Sequence, residues 1–263
     1  MPIDDGVIAR VAARLRVAQE SGTPIAPVRD ELAPGGVDAA YAVQEANTRH
    51  ALAHGRRLVG RKIGLTSKAV QEQLGVDSPD FGMLFDDMSL RDGAVVEAGE
   101  VLQPKAEAEM AFVMSRDLDD PDLTLDDLIA AVEYVLPAIE IVGSRIRDWN
   151  IKLLDTIADN ASCGLFVLGA IPRTLHGLEL VSCAMEMQRD GERVSTGTGA
   201  ACLGNPLNAA LWLARTIARV GRPLQAGDIV MSGALGPMVA VVPGNTIEAR
   251  IEGLGSVRAA FAA

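Results

Sequence analysis

The sequence predicts an α+β protein in which a helical N-terminal region precedes a mostly antiparallel or mixed β core. Apolar residues follow helical spacing in the first fifth of the chain, and strand-like segments with few intervening helices dominate the remainder. No helix regularly separates consecutive strands, which disfavours a doubly wound parallel sheet. We expect residues 1–56 to form the helical region and residues 57–263 the β domain, either as separate domains or as one structural unit.

The N-terminal region contains two predicted helices. Apolar side chains recur three or four positions apart over residues 3–20, and residues 37–54 are helical again after a connector rich in Pro and Gly. Asp38 is the expected N-cap of the second helix, and Gly55 its end.

The next segment is predicted to contain a strand, a short helix and a loop. "RRLVGRKIGLT", residues 56–66, is typical of a strand, and "SKAVQEQLG", residues 67–75, of a short helix closed by Gly75. "SPDFGMLFDDM", residues 78–88, is rich in turn residues, and we interpret it as an unusually apolar loop.

The middle of the chain is predicted to form a helix followed by a strand. Thr124 and Asp127 resemble a capping box at the start of this helix. The helix should end before Pro137, because the residue before a proline avoids helical dihedral angles. "AIEIVGS", residues 138–144, would then form the strand.

The C-terminal part combines a hairpin, one clear helix and further strands. "CAMEMQRDGERVSTG" predicts a hairpin that turns at Asp190 and Gly191. "GNPLNAALWLARTIARVG" predicts a helix with Asn205 as its cap, Pro206 at its first position and Gly221 at its end. Strands and turns account for most of the residues that follow.

The charge balance excludes some classes of partner. The chain has 24 Lys and Arg against 35 Asp and Glu, a formal net charge of -11, which argues against a nucleic-acid or anionic-membrane binder. A locally positive site for a small anionic substrate remains compatible with this charge. The uncharged run from Ile229 to Ile247 is interrupted by Gly and Pro, so we interpret it as strands rather than as a membrane span.

The N-terminus and the cysteines indicate the compartment. "MPIDDGVIARVAARL" carries acids where a signal peptide has basic residues, and the three cysteines form no CxxC motif. We therefore expect a cytoplasmic protein.

Two glutamates stand one residue apart in the apolar stretch "QPKAEAEMAFV", residues 103–113. In a strand, Glu107 and Glu109 would share a face with Ala111 and Val113, where like charges are costly to desolvate. Glu140 is a further carboxylate isolated in an apolar strand. Three such acids without His or Cys suit Mg²⁺ or Mn²⁺ better than Zn²⁺. The alternative is that the first two lie on an exposed edge strand and Glu140 pairs with an arginine.

Other polar side chains are candidates for a site. Lys62 lies in an apolar strand next to glycine residues, where a lone lysine needs an acid or an anion, and "DTIADNASCG" brings Ser162 shortly after Glu140. Salt bridges or turn caps would also explain these residues. The histidines lie elsewhere in the sequence, and "STGTGAACLG" lacks the spacing of a nucleotide-binding loop.

Several motifs in order resemble one family: "GRKIGLTS", "LGVDSPDFGMLFDDM", "QPKAEAEMAFV", "PAIEIVGSRIRDWNIKLLDTIADNASCG", "LGNPLNAALWLA" and "SGALGPMVAV". From about Arg57 to the C-terminus the chain is similar to the 2-oxopent-4-enoate hydratases of the fumarylacetoacetase-like superfamily. This resemblance implies a mixed β roll or barrel, usually in homo-oligomers. It also implies a Mg²⁺ or Mn²⁺ ion held by three acids, and a substrate pocket lined by three further residues. The acids are Glu107, Glu109 and Glu140, and the pocket residues are Lys62, Asp80 and Ser162.

The activity implied by the resemblance is hydration of 2-hydroxypenta-2,4-dienoate, or a substituted analogue, to a 4-hydroxy-2-oxo acid in meta-cleavage degradation of aromatic compounds. We expect Lys62 and Asp80 to form a catalytic couple and Ser162 to orient substrate or water. One alternative is decarboxylation of 2-oxo-hex-3-enedioate, as in related decarboxylases. A second is a non-catalytic partner of such an enzyme, and neighbouring pathway enzymes are conceivable partners in either case.

Overall fold

The computed structural model describes residues 4–67, 71, 76 and 78–263. The short helix predicted over residues 67–75 therefore lies largely outside the described residues. Within them, the α-helices are α1 (Asp5–Ser21), α2 (Arg29–Leu32), α3 (Gly36–Ala53), α4 (Leu125–Ala131), α5 (Leu153–Ala158) and α6 (Pro206–Arg219). None of these helices is both long and apolar enough to cross a membrane.

The strands of the described residues form two sheets. They are β1 (Leu58–Gly64), β2 (Asp80–Phe85), β3 (Ser89–Arg91), β4 (Ala94–Val96), β5 (Lys105–Met114), β6 (Val132–Val142), β7 (Leu165–Leu168), β8 (Ala184–Arg189), β9 (Glu192–Thr198), β10 (Ile229–Met231), β11 (Val239–Ala240), β12 (Thr246–Ile251) and β13 (Gly255–Phe261). The larger sheet has the order β2-β1-β10-β5-β6-β7-β3, with β11 pairing with β5. The smaller sheet has the order β4-β13-β12-β8-β9. Parallel pairs occur in both sheets, so the predicted α+β class with a mixed β core is confirmed.

The long antiparallel pair β5–β6 forms the centre of the larger sheet. Lys105 to Met114 pair with Val142 to Val132 along their length, and β10 and β7 flank the pair on either side. Apolar side chains of β5, β6 and β7 are fully buried, including Phe112, Ile139 and Phe166. Burial on both faces explains why these strands are almost continuously hydrophobic.

The N-terminal helices pack against the β region through a small core of their own. Helices α1 and α3 share this core with Ile146 and Ile157, and the buried Gln44 side chain donates to the carbonyl oxygens of Phe81 and Ile157 at 2.8 and 3.1 Å. We therefore propose that residues 1–56 and 57–263 form one structural unit. Asp38 lies in the first turn of α3 but is not its cap, because the helix begins one turn earlier, after Gly35.

Several predicted helix ends and turns are confirmed. The Thr124–Asp127 capping box is present in α4, and the Asn205 side chain accepts a hydrogen bond from the Leu207 amide at the start of α6. The β8–β9 hairpin turns at Asp190 and Gly191, with φ angles of 55° and 84°. Both angles are positive, as a type I′ turn requires.

Two predictions of secondary structure are wrong. Residues 80–85 form the buried strand β2 rather than a loop, since both faces of β2 are covered and no polar alternation marks it. Helix α4 ends at Ala131, and β6 starts at Val132 and continues through Pro137. Pro137 opposes Met110, whose amide and carbonyl bond to Ser232 on the other side. The missing N–H of the proline therefore leaves no bond of the β5–β6 ladder unmade.

Candidate metal centre and active site

The register of β5 and β6 brings three carboxylates together. Glu107 lies directly opposite Glu140, and Glu109 follows two residues later on the same face of β5. One carboxylate oxygen from each residue lies within 4.8 Å of those of the other two. Glu109 and Glu140 are fully buried, whereas Glu107 is partly exposed. Because β5 is an interior strand, the edge-strand interpretation of Glu107 and Glu109 is wrong.

The carboxylate oxygens of Glu109 and Glu140 have few hydrogen-bond partners in the part of the protein that the structure describes. Glu109 Oε1 and Glu140 Oε2 are buried without a hydrogen-bond partner in the described residues, and Glu109 Oε2 accepts a bond from the Gly233 amide at 2.8 Å. Buried carboxylate oxygens without partners are costly. A divalent cation would satisfy them, and an all-oxygen donor set is what Mg²⁺ and Mn²⁺ prefer. The donor set therefore fits such an ion.

The proximity of the acids alters their protonation. Burial raises the pKa of Glu107 to about 7, and the nearby Glu140 charge acts in the same direction. Burial and the charges of both neighbouring glutamates raise the pKa of Glu109 well above its usual value. The cluster thus disfavours three negative charges unless a positive charge compensates them.

Lys62 supplies one positive charge to this cluster. It lies on β1, is buried, and its Nζ is 3.2 Å from Glu140 Oε1. Burial lowers the pKa of Lys62, but the Glu140 charge, supported by Cys163, Asp80 and Glu107, outweighs burial and raises it. Lys62 therefore remains an ammonium group. Its ion-pair partner is Glu140, so the alternative that Glu140 pairs with an arginine is wrong.

Asp80 is the first residue of β2 and lies close enough to Lys62 for their charges to interact. Its Oδ2 accepts a hydrogen bond from Thr156 Oγ1 at 3.4 Å, while its Oδ1 is buried without a partner among the described residues. Burial raises the pKa of Asp80 to about 6, against the opposing effect of the Lys62 charge. A carboxyl group with this pKa can exchange a proton near neutral pH.

Gly64 gives the Asp80 side chain its space. The two residues are register partners, and a Cβ on Gly64 would lie 2.1 Å from Asp80 Oδ1. We expect Gly64→Ala to displace the Asp80 carboxylate and to lower the free energy of unfolding by about 1–3 kcal/mol, the usual range for overpacking. Thermal unfolding would measure this loss. Gly6→Ala, in the exposed first turn of α1, is the control and should be neutral or slightly stabilising. Equal melting temperatures for the two variants would contradict the prediction.

Ser162 is connected to Asp80 through Thr156. The hydroxyl groups of Ser162 and Thr156 are 3.4 Å apart, and both residues are buried. Asn160, Ala161 and Ser162 have φ angles of 55°, 52° and 56°, a run of left-handed residues that is rare outside glycine. Sequence analysis missed Thr156, because a threonine inside a short helix carries no signal of this contact.

Two side chains stabilise the backbone around Ser162. The Asn160 side chain bonds to both the amide and the carbonyl of Met83, at 2.7 and 2.9 Å, and so pairs the loop with β2. The buried Arg145 side chain bonds to Asp159 and donates to the Cys163 carbonyl at 2.9 Å. Arg145 and Asp159 thus form a buried structural salt bridge.

A cavity of about 560 Å³ lies between the N-terminal helices and the β region. His50 and His54 line it with their rings 4.0 Å apart, but its lining includes neither the three glutamates nor Lys62. The polar cluster on β1, β2, β5 and β6, rather than this cavity, is therefore the candidate active site.

The fold and the acid cluster define an enzyme of the fumarylacetoacetase-like class. The fumarylacetoacetate (FAA) hydrolase C-terminal family matches residues 41–262. The chain is 63% identical to 2-keto-4-pentenoate hydratase 2 of Dechloromonas aromatica, over 95% of this chain and 96% of that protein. It is 42% identical to 2-hydroxyhexa-2,4-dienoate hydratase of Comamonas testosteroni, over 98% of both proteins.

A solved structure supports the same assignment. The 4-oxalocrotonate decarboxylase from Pseudomonas putida G7, complexed with magnesium and adipate, superposes with a TM-score of 0.93 at 36% identity, covering 98% of this chain and 97% of that one. The same decarboxylase has also been solved with calcium and acetate. The chain therefore belongs to the 2-keto-4-pentenoate hydratase and decarboxylase family of fumarylacetoacetase-like enzymes, which confirms the predicted resemblance.

Proposed function

We propose that this protein is a hydro-lyase that adds water to 2-hydroxypenta-2,4-dienoate, or to a substituted analogue, and forms a 4-hydroxy-2-oxo acid in meta-cleavage degradation of aromatic compounds. The observation that carries the proposal is the cluster of three carboxylates with unpartnered oxygens beside a buried ammonium, in a chain 63% identical to a named hydratase. The names of both hydratase relatives refer to short unsaturated acids that carry a keto or hydroxyl group at C2.

Glu107, Glu109 and Glu140 would hold the divalent cation, with Mg²⁺ favoured by the magnesium in the related decarboxylase and Mn²⁺ as the second candidate. When bound, this ion supplies a Lewis acid that stabilises negative charge on the carboxylate and 2-oxygen of the substrate.

The reaction requires proton transfers that the buried residues can perform. The dienol first takes a proton at C5 and loses the 2-hydroxyl proton, which gives a 2-oxo-3-enoate. A water molecule then attacks C4 and loses one proton, and C3 takes up one proton, so that the net addition is one water molecule. Asp80, with a pKa of about 6, is suited to accept and return a proton, and the Lys62 ammonium to face the negative charge that develops on the substrate.

The hydroxyl groups beside Asp80 have a positioning role in this proposal. Ser162 orients substrate or water, and Thr156 connects Ser162 to the Asp80 carboxylate. The left-handed backbone at Ser162 directs its hydroxyl toward Thr156 at a cost in local strain, which fits a functional site.

The first test distinguishes hydration from decarboxylation. With Mg²⁺ and 2-hydroxypenta-2,4-dienoate, we expect loss of the dienoate absorbance, a 4-hydroxy-2-oxo acid identified by NMR, incorporation of oxygen from ¹⁸O-labelled water at C4, and no CO₂. The decarboxylase alternative has support from the superposition with 4-oxalocrotonate decarboxylase. Rapid CO₂ release from 2-oxo-hex-3-enedioate, with the dienoate unchanged, would replace our proposal by that alternative. No reaction with either substrate would favour the non-catalytic partner, against which the complete set of polar site residues argues.

The cysteines and the family resemblance bear on the compartment and the oligomeric state of the enzyme. We propose a cytoplasmic homo-oligomer, since the cysteines at positions 163, 183 and 202 are buried and free, as in reducing compartments. Oligomerisation and contact with neighbouring pathway enzymes rest on the family resemblance, and light scattering would measure the former.

A further inference from the structure

Solvent reaches the acid cluster on the side of Glu107. Glu109 and Glu140 are fully buried, and Glu107 is the one of the three acids with exposed surface. Among the described residues, the part of β5 around Glu107 therefore marks an entrance to the cluster for an anionic substrate. Lys105 precedes Glu107 by two residues, so its side chain lies on the same face of β5. It is partly exposed, and it lies close enough to Glu107 for the two charges to interact.

The ammonium group of Lys105 is fixed in position but not neutralised. Its Nζ lies 4.1 Å from the centre of the Trp149 ring, a cation–π contact. No ion pair joins it to a carboxylate of the described residues, in contrast to Lys62. An indole ring attracts the ammonium without cancelling its charge, so Lys105 keeps its attraction for an approaching anion.

The Trp149 ring is in turn held by an unusual loop. Trp149 Nε1 donates to the Gln103 carbonyl at 2.9 Å, and the Gln103 side chain bonds to the carbonyls of Ser144 and Ile146, both at 2.8 Å, and to the Asp148 amide at 2.7 Å. Gln103, Asp148 and Trp149 have φ angles of 52°, 58° and 53°. Left-handed residues of this kind persist only where surrounding contacts impose them. The strained loop thus has a defined consequence, which is a fixed indole beside Lys105.

The net charge of the protein explains why a cation at this entrance would matter for an anionic substrate. The chain carries a formal net charge of -11, so its long-range field repels a carboxylate substrate. A fixed cation at the entrance makes the local potential less negative, and a favourable local potential raises the rate at which an anionic substrate is captured.

We propose that Lys105 recruits the anionic substrate at the entrance of the active site and that Trp149 is the positioning residue that holds Lys105 there. This inference rests on the proposed hydratase function. It assigns Lys105 to substrate capture and leaves the chemical step to the residues deeper in the site.

The kinetic test compares variants with defined charge. In Lys105→Met, we expect KM for the dienoate to rise about tenfold, at the lower end of electrostatic focusing effects, with kcat changed less than about twofold. Lys105→Gln should behave alike, and Lys105→Arg should retain the wild-type KM. Lys152→Met is the matched control, because it removes an equal charge from an exposed lysine. With added salt, kcat/KM should rise more steeply in Lys105→Met than in the wild type, since only repulsion remains to be screened.

A binding measurement separates this inference from the proposed function. Oxalate, a small chelating dianion, should bind the Mg²⁺-loaded Lys105→Met protein about tenfold more weakly than the wild type, by calorimetry, whether or not the protein turns over a dienoate. The affinity for Mg²⁺ itself should not fall, because a cation near the acids opposes metal binding. Oxalate affinity and KM equal to those of Lys152→Met would overturn the proposal. A large loss of kcat with unchanged KM would overturn it as well, since Lys105 would then act in the chemical step.

Discussion

Glu109→Gln should abolish high-affinity Mg²⁺ binding and reduce dienoate turnover more than about 100-fold. Loss of a residue that only supports a metal ligand lowers activity by up to about 100-fold, and loss of a ligand itself should have a larger effect. Glu107→Gln and Glu140→Gln should behave in the same way. Each removes a carboxylate from the cluster in which one oxygen of every glutamate lies within 4.8 Å of the other two. Calorimetric titration with Mg²⁺ and steady-state loss of dienoate absorbance measure the two effects. Glu133→Gln is the matched control, since Glu133 lies on β6 but is exposed, and it should leave both quantities unchanged.

The glutamate variants should nonetheless remain folded. In the metal-free protein, burial and mutual repulsion oppose ionisation of Glu107 and Glu109, so a neutral amide at one position relieves repulsion. For Glu107→Gln and Glu109→Gln we expect melting temperatures in excess EDTA that are equal to or higher than that of the metal-free wild type. Glu140→Gln should melt lower, because it leaves the buried Lys62 ammonium without its ion-pair partner. Full activity of the wild type in excess EDTA would contradict the metal assignment, and unfolding of all three variants would indicate that the acids have a structural role instead.

The elements that carry local signals could be predicted from the sequence. The Thr124–Asp127 box, the Asn205 cap and the Asp190–Gly191 turn each depend on side-chain or backbone preferences within a few residues, and all three are present. Strand β2 could not be recognised, because burial on both of its faces removes the polar alternation that identifies a strand. The early start of β6 was missed because its pairing with β5, not its own composition, ends the preceding helix.

Most residues of the candidate site could be predicted from the sequence, but their arrangement could not. Isolated acids in apolar segments could be selected from the sequence, because an unpaired buried carboxylate is costly wherever it lies. Their arrangement could not, since the pairing of Glu107 with Glu140 depends on the register of two strands about 30 residues apart in the chain. The 3.2 Å contact of Lys62 with Glu140 and the link from Ser162 through Thr156 to Asp80 likewise join residues from different elements.

Lys62→Met should lower dienoate turnover by roughly 10²–10³-fold, the usual range for loss of a group that stabilises negative charge in the transition state, and leave Mg²⁺ binding intact. The methionine side chain retains most of the volume in a buried position, so the substitution removes charge more than packing. Because Lys62 neutralises Glu140, its removal leaves that carboxylate available to a divalent cation and should not weaken metal affinity. This pattern differs from that of the glutamate variants, which should fail at metal binding itself.

A double variant separates catalysis from charge compensation. If Lys62 served only to neutralise Asp80 and neither residue took part in proton transfer, Lys62→Met/Asp80→Leu would remove both charges together and restore turnover as well as melting temperature. The 3.2 Å contact predicts a different result, because Glu140 would still lack its cation and the proton-transfer couple would be lost. We therefore expect partial recovery of the metal-free melting temperature at most and no recovery of turnover. Metal affinity, melting temperature and turnover, measured for the single and double variants, test this expectation, and near-native turnover in the double variant would reduce Lys62 to a structural ion-pair partner.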